Sequence, residues 1–159
     1  MHAAPRLALL CGLVLTALAP AAAQGVPNLS GTWALVPDKS DFGPMPPPQS
    51  RTDVIDHKEP ALLITRTQMT PNGEVTASLV YAVDGKPHKN TVADAEVTST
   101  LTWDGPVLVI VSTVGTPNGE ATLTDRYTLS EDGKTLTQSR TINIQGQELI
   151  QTMVLEKKS

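Results

Sequence analysis

The sequence has a single cysteine and no surplus of positive charge. The cysteine, Cys11, lies in an apolar stretch near the N-terminus, so the rest of the chain can form neither a disulfide nor a thiolate metal site. The 16 acidic and 12 basic side chains are interspersed, which argues against nucleic acid or an anionic membrane surface as a partner. The folded domain must therefore be held together by its core.

Reactive motifs are also scarce. His57 and His88 are far apart, and neither has a histidine or cysteine nearby at metal-ligand spacing. In the segment 56–59, strand geometry lets only Asp56 and Lys58, or His57 and Glu59, share a face, and we interpret the segment as a solvated strand end. No Gly-x-Ser-x-Gly elbow occurs. The sequence thus predicts no catalytic site, no metal and no cofactor.

The N-terminal 23 residues have the features of a secretory signal peptide. Arg6 is followed by the apolar stretch Leu7–Leu18 and by Ala21–Ala23, with a cut expected before Gln24. Cys11 follows Leu10 rather than a small residue, so we expect no lipid or other stable membrane anchor. The prediction is export across the inner membrane to the periplasm or beyond, leaving one domain of residues 24–159.

A passage that occurs twice indicates the fold. Pro60–Tyr81 and Pro106–Tyr127 align without a gap and are identical at 11 of 22 positions. Each copy is an apolar run, a Thr-Pro-Asn-Gly-Glu turn and a second run that ends in tyrosine, which is the pattern of a β-hairpin. Such a hairpin cannot bury its apolar face alone and needs neighbours.

Strand-like segments continue along the whole domain, which contains 19 threonines and 13 valines. Short turns separate most of them, so sequential strands should be antiparallel neighbours. The predicted strands are 28–36, 53–57, 61–69, 74–83, 96–103, 107–114, 120–129, 136–144 and 149–155, with 87–92 as a further strand or an irregular link. We predict an all-β protein: an antiparallel up-and-down β-barrel of about 8–10 strands. A sandwich is the alternative.

The segment 37–50 contains five prolines and should be an extended loop. Phe42 and Met45 are apolar residues in this loop. Either they plug one end of the core, or they belong to a lid over a cavity mouth.

Gly31-Thr32-Trp33 on the first predicted strand resembles the Gly-x-Trp motif of the lipocalin and calycin barrels. Ser30–Trp33, Lys39–Gly43 and Pro44–Pro48 also resemble the opening of small secreted bacterial lipocalin-like proteins. The resemblance implies a barrel that binds small, mostly apolar molecules. It further implies that Gly31 and Trp33 close one barrel end beneath a late arginine, Arg126 or, by preference, Arg140.

Other residues are candidates for the barrel interior. An inward arginine among Arg66, Arg126 and Arg140 would suit an anionic ligand, whereas outward arginines would pair with acids across strands. Tyr81 and Tyr127 occupy equivalent positions in the repeat and should lie at the same height along the barrel axis. The candidate ligand-binding residues are Tyr81, Tyr127, Trp103, Arg126, Met153, Phe42 and Met45.

The function predicted from sequence is binding of a small hydrophobic or amphipathic molecule by a secreted protein that does not transform it. If the barrel interior is filled, an interaction or structural module of the cell envelope is the alternative. A barrel enzyme is the third possibility. The oligomeric state is left open.

Overall fold

A computed structural model describes residues 25–117 and 119–159 of the chain. It contains ten strands and one short 3-10 helix, Pro37–Lys39. The strands are β1 Gly31–Leu35, β2 Ser50–Lys58, β3 Ala61–Thr70, β4 Gly73–Ala82, β5 Pro87–Val92, β6 Ala95–Asp104, β7 Val107–Thr116, β8 Gly119–Leu129, β9 Thr135–Ile144 and β10 Gln147–Lys157. The expected signal peptide, 1–23, lies outside the described residues.

The ten strands form one antiparallel sheet that follows chain order and curls into a nearly closed barrel. The first strand joins the two ends of the meander, because β1 pairs with both β2 and β10. The predicted up-and-down barrel is confirmed, and residues 87–92 form a strand rather than an irregular link. The sandwich alternative is wrong, since a single sheet carries all ten strands.

The barrel stops short of full closure at a seam between its two edge strands, β4 and β5. At this seam the side chain of Asn90 takes the place of a strand partner. Its Oδ1 accepts the Val80 N–H at 2.8 Å, and its Nδ2 donates to the Val80 carbonyl at 3.2 Å. One carboxamide therefore satisfies both backbone groups of Val80, as a neighbouring strand would.

Alternating side chains along each strand point into the barrel and pack as one core. At one end, which we call the Trp33 end, Trp33 is fully buried and donates from Nε1 to the Leu29 carbonyl at 2.9 Å. His57 is buried at the same end, so the predicted solvated strand end is wrong for this residue. Its Nδ1 accepts the Leu29 N–H and its Nε2 lies 2.9 Å from Glu59, which confirms the expected shared face.

The cation above Trp33 is Lys157, not the expected Arg140. The Lys157 Nζ lies 5.2 Å from the centre of the Trp33 ring. Gly31 allows this approach: it has φ +145°, and a Cβ there would lie 2.5 Å from the Lys157 Cε. Arg140 instead faces the barrel interior. The order of strands in the sheet explains the difference, because β10 lies next to β1 whereas β9 is one strand further away.

The proline-rich segment is fixed to the barrel at several points. Asp41 forms a two-way backbone bridge with Thr152, and the Gln49 N–H donates to the Met69 carbonyl. Phe42 packs against the core, as expected of a plug, while Met45 is 44% exposed. These contacts favour a fixed end cover over a lid. No helix in the described part of the chain is long and apolar enough to cross a membrane.

We predict that Trp33→Ala lowers the free energy of unfolding by about 3–5 kcal/mol, because it removes a buried ring and leaves a cavity. Urea unfolding measures the change. Val80→Thr is the control, since Val80 is 62% exposed and the substitution should cost less than about 0.5 kcal/mol. A loss below about 1 kcal/mol for Trp33→Ala would contradict this account of the Trp33 end.

We also predict that Asn90→Ala speeds hydrogen exchange of the Val80 amide about two- to tenfold, the equivalent of one lost hydrogen bond. NMR-detected exchange measures it, with amides of β7 and β8 as internal controls. Unchanged protection of Val80 would show that the Asn90 side chain does not hold the seam.

Candidate functional site

The barrel contains a partly open cavity of about 250 Å³ that is lined by residues of β3 to β9. Tyr81 on β4 and Tyr127 on β8 both line it, at the equivalent positions of the two repeats. Residues of β1, β2 and β10 take no part in the lining, because that half of the barrel is filled with side chains. The interior is thus half packed and half open.

The cavity has a polar side and an apolar side. The polar residues lie mainly on β3, β8 and β9: Arg66, Asp125, Tyr127 and Arg140. The apolar residues come mainly from β5, β6 and β7, and include Val92, Ala95, Val97, Ile110 and Val114. The cavity therefore offers one charged wall and one hydrocarbon wall, which is the lining that an amphipathic molecule requires.

The polar wall is part of a network of five charged residues that we call the interior ion cluster: Arg51, Asp53, Arg66, Asp125 and Arg140. Asp53 is fully buried and accepts four hydrogen bonds from two guanidinium groups. Arg51 donates to it at 2.9 and 2.6 Å, and Arg66 at 3.0 and 2.9 Å. Both oxygens of Asp53 are thereby used within the protein.

Asp125 forms the second centre of the cluster. Arg140 donates to both of its carboxylate oxygens in a bidentate ion pair, from Nε at 2.7 Å and from Nη2 at 2.9 Å. Gln138, which is fully buried, joins the two centres. Its Oε1 accepts from Arg51 at 2.7 Å and its Nε2 donates to Asp125 at 2.7 Å. Only this orientation of the amide gives a donor to the acid and an acceptor to the arginine.

Both carboxylates stay ionised. Burial alone would raise the pKa of Asp53, but Arg66 and Arg51 outweigh it and hold that pKa well below its ordinary value. Burial likewise opposes ionisation of Asp125, and Arg140 lowers its pKa overall. With three arginines and two aspartates, the interior ion cluster carries one uncompensated positive charge beside the cavity.

Two tyrosines complete the polar wall. The Tyr127 hydroxyl accepts from Arg66 Nη2 at 3.2 Å. Burial raises the pKa of Tyr81 to about 12, although a hydrogen bond with Ser99 lowers it, so the hydroxyl stays protonated at physiological pH.

The other candidate residues lie away from the cavity. Arg126 is on the outer face, paired with Asp104 at 2.6 Å, because Asp125 and Tyr127 on either side of it point inward. Met153 is buried in the filled half, where its sulfur accepts from Arg51. Trp103 donates to Glu59 at 2.7 Å and packs against His57. The expectation that Arg126, Met153 and Trp103 line the cavity is therefore corrected, and Phe42 and Met45 do not line it either.

Sequence reasoning missed Arg51, Asp53, Gln138 and Asp125 as site residues. A signal was present for the first two, since Arg51 and Asp53 share strand parity with the apolar Ile55. The described residues contain no group of three or more side chains arranged to hold a metal ion.

Comparison with known proteins gives the fold. No protein-family model matches the sequence, and no curated protein sequence matches it significantly. Solved structures do match. The match to a mutant of the fluorescent protein UnaG has TM-score 0.58 and 14% sequence identity, and it covers 82% of this chain and 96% of the UnaG chain. The match to zebrafish ileal bile acid-binding protein complexed with cholic acid has TM-score 0.56 and 14% sequence identity, and it covers 81% of this chain and 98% of that protein's chain.

Two further structures match to a similar degree. Human cRBP IV has TM-score 0.54 and 14% identity, covering 83% of this chain and 99% of its own. The match to secretory abundant heat soluble protein 4 from Ramazzottius varieornatus has TM-score 0.58 and 14% sequence identity, and it covers 86% of this chain and 99% of that protein's chain. The chain thus shares the antiparallel β-barrel fold of these structures.

We predict that Asp53→Asn lowers the free energy of unfolding at pH 7 by about 3–5 kcal/mol, because Arg51 and Arg66 lose their shared counter-charge. The pKa of Asp53 is lowered by folding, so its stabilising effect is present above its unfolded pKa of about 4 and fades as the pH falls below that value. The difference between variant and parent should therefore shrink at pH 3.

Urea unfolding at both pH values tests this. Asp56→Asn is the matched control, since the pair of Asp56 with Lys58 is exposed and its loss should cost less than about 1 kcal/mol. Equal stability of Asp53→Asn and the parent at pH 7 would contradict the role of the interior ion cluster.

Proposed function

We propose that this protein is a secreted carrier that binds a small amphipathic molecule with an anionic head group and does not transform it. The observation that carries the proposal is a cavity with one apolar wall and one wall backed by three arginines and only two aspartates. A buried excess charge is unfavourable, and an anionic ligand would neutralise it.

Guanidinium N–H groups that make no hydrogen bond within the polar wall support the binding of an anionic head group. Arg66 and Arg140 each use Nε and Nη2 on their aspartates, and neither Nη1 donates to any residue that the structure describes. Both residues line the cavity and keep part of their side chains exposed, 16% and 20%. Arg51, by contrast, is buried and uses all three nitrogens on protein atoms. Arg66 and Arg140 are therefore the head-group ligands, and Arg51 is a structural member of the cluster.

The neighbours in fold are consistent with this proposal. One of them was crystallised with cholic acid, which is itself an amphipathic carboxylic acid. At 14% identity this likeness supports the type of binding site and no particular ligand. The open half of the barrel favours a binding protein over the alternative of a filled interaction module. The signal-peptide features of residues 1–23 support secretion.

Absence of catalysis is part of the proposal. Every charged group on the cavity wall is held in an ion pair, and the pKa shifts keep the aspartates charged and Tyr81 neutral. A general acid or base needs a pKa near the working pH, and these shifts move the groups away from it.

Isothermal titration calorimetry with octanoate and 1-octanol tests the function. We expect octanoate to bind at least tenfold more tightly than the alcohol. Arg66→Met should weaken octanoate binding about 10- to 100-fold, the value of a charged hydrogen bond, and leave the alcohol unaffected. Asp53 keeps Arg51 as its partner in this variant, so the fold should persist.

Arg126→Met is the matched control, because it removes an arginine on the neighbouring outer face. It should bind octanoate as the parent does. Equal affinity for the acid and the alcohol, or no binding of either, would refute the proposed function.

A further inference from the structure

A second set of polar side chains faces the barrel interior from strands that carry no member of the interior ion cluster. Ser99 on β6 and Ser112 on β7 are paired across the two strands, and their hydroxyl oxygens lie 2.8 Å apart. Both serines are buried, with 1% and 7% exposure. Ser99 also forms a hydrogen bond with the hydroxyl of Tyr81 on β4. We call Tyr81, Ser99 and Ser112 the hydroxyl trio.

The two serines lie in apolar surroundings. The inward residues on either side of them are Val97 and Leu101 on β6, and Ile110 and Val114 on β7. A hydroxyl placed there costs free energy unless it is hydrogen-bonded. Alanine or valine would pack at the same positions without that cost, so packing of the core does not account for the serines.

The hydroxyl trio cannot use all of its own protons. Each hydroxyl has one proton to donate, but the trio has only two internal contacts, Tyr81 to Ser99 and Ser99 to Ser112. No other residue that the structure describes accepts a hydrogen bond from these hydroxyls. Ser99 is the middle member and donates to one neighbour. The unused proton therefore belongs to Ser112 if the bonds run in one direction, and to Tyr81 if they run in the other.

The unused donor opens into the cavity in either arrangement, because Tyr81 and Ser112 both line it. Arg66 and Arg140 line the same cavity, and Arg66 also acts electrostatically on the Tyr81 hydroxyl. The carboxylates of the cluster are already held in ion pairs with arginines. The cavity thus presents hydrogen-bond donors in two places, one charged and one neutral.

We propose that the hydroxyl trio is a second binding subsite, which takes a carbonyl oxygen of the same ligand whose anionic group meets Arg66 and Arg140. This inference rests on the proposed function and adds a second functional group to the ligand: an anion that also carries a ketone or similar acceptor. A carbonyl suits the subsite better than a hydroxyl, because it accepts the unused proton without bringing another that needs a partner.

Calorimetry with two matched pairs of anions tests the subsite: 3- and 4-acetylbenzoate against 3- and 4-isopropylbenzoate. The acetyl and isopropyl groups are similar in size, but only acetyl carries an acceptor. Transfer out of water favours the isopropyl group, so an apolar cavity without a free donor would prefer it. We expect the opposite order, with at least one acetyl isomer binding about three- to tenfold more tightly than its isopropyl partner.

The subsite would be overturned if both isopropylbenzoates bound as tightly as their acetyl partners, or more tightly. It would also be overturned if a protein that binds octanoate bound none of these four anions. If octanoate does not bind either, the proposed function itself fails and the subsite fails with it. The octanoate titration therefore separates the two failures.

Substitutions in the trio assign the preference to these hydroxyls. The triple variant Tyr81→Phe/Ser99→Ala/Ser112→Ala removes all three hydroxyls together and leaves none of them unpaired, so it should fold, which urea unfolding checks. It should lose the acetyl preference and bind the isopropyl isomers at least as tightly as the parent does. Ser99→Ala alone keeps both cavity-lining hydroxyls and should keep the preference.

Ser78→Ala is the control, because it removes a serine hydroxyl from an exposed position on β4. It should leave the ratio of acetyl to isopropyl affinity unchanged. A folded triple variant that still prefers the acetyl isomer would show that another group supplies the donor, and would overturn the proposal.

Discussion

The interior of this barrel is organised by the requirement that buried charges have partners. Asp53 lies at the centre, fully buried and held by two arginines from β2 and β3. Through Gln138 the same network reaches Asp125 and Arg140 on β8 and β9. The network thus connects two sides of the barrel through its interior, where a purely apolar core would place no directional constraint. Since each side-chain donor of the network meets an acceptor, the register of four strands is fixed by these side-chain hydrogen bonds as well as by the backbone hydrogen bonds between strands.

The same network divides the barrel in two. On one side, packing around Trp33, Leu155 and Leu136 leaves these side chains with no exposure. On the other side, the guanidinium groups of Arg66 and Arg140 face open space. In the proposed function, the charge that holds the structure together is also the charge that the ligand meets. A fully compensated cluster would avoid the cost of a buried excess charge, but it would offer an anion no net attraction.

The fold could be predicted because its signals are local. The repeated Thr-Pro-Asn-Gly-Glu turns and period-2 alternation indicate hairpins, and short turns leave a meander as the simple topology. The repeat also gave Tyr81 and Tyr127 matched positions, and both line the cavity. The ion cluster depends on contacts that no local pattern contains: Arg51 and Gln138 are 87 positions apart. Alternation groups Arg126 with Thr124 and Thr128, but it does not say which face of β8 is inside. The cation over Trp33 was missed because strand adjacency decides it, not position along the chain.

Stability is distributed unevenly around the cavity, and the distribution matches the two ends of the proposed ligand. The polar wall is rigid, because bidentate ion pairs fix Arg66 and Arg140 in place. The apolar wall borders the seam, where Leu79 on β4 and Val92 on β5 line the cavity and the side chain of Asn90 bridges the strand edges. A strand edge held by side-chain bonds opens more easily than a full ladder. A charged head group needs fixed donors, whereas a hydrocarbon chain needs only apolar surface, which can adjust. In the proposed function, the rigid wall therefore sets which head group binds, and the seam lets the apolar wall adjust to the rest of the ligand.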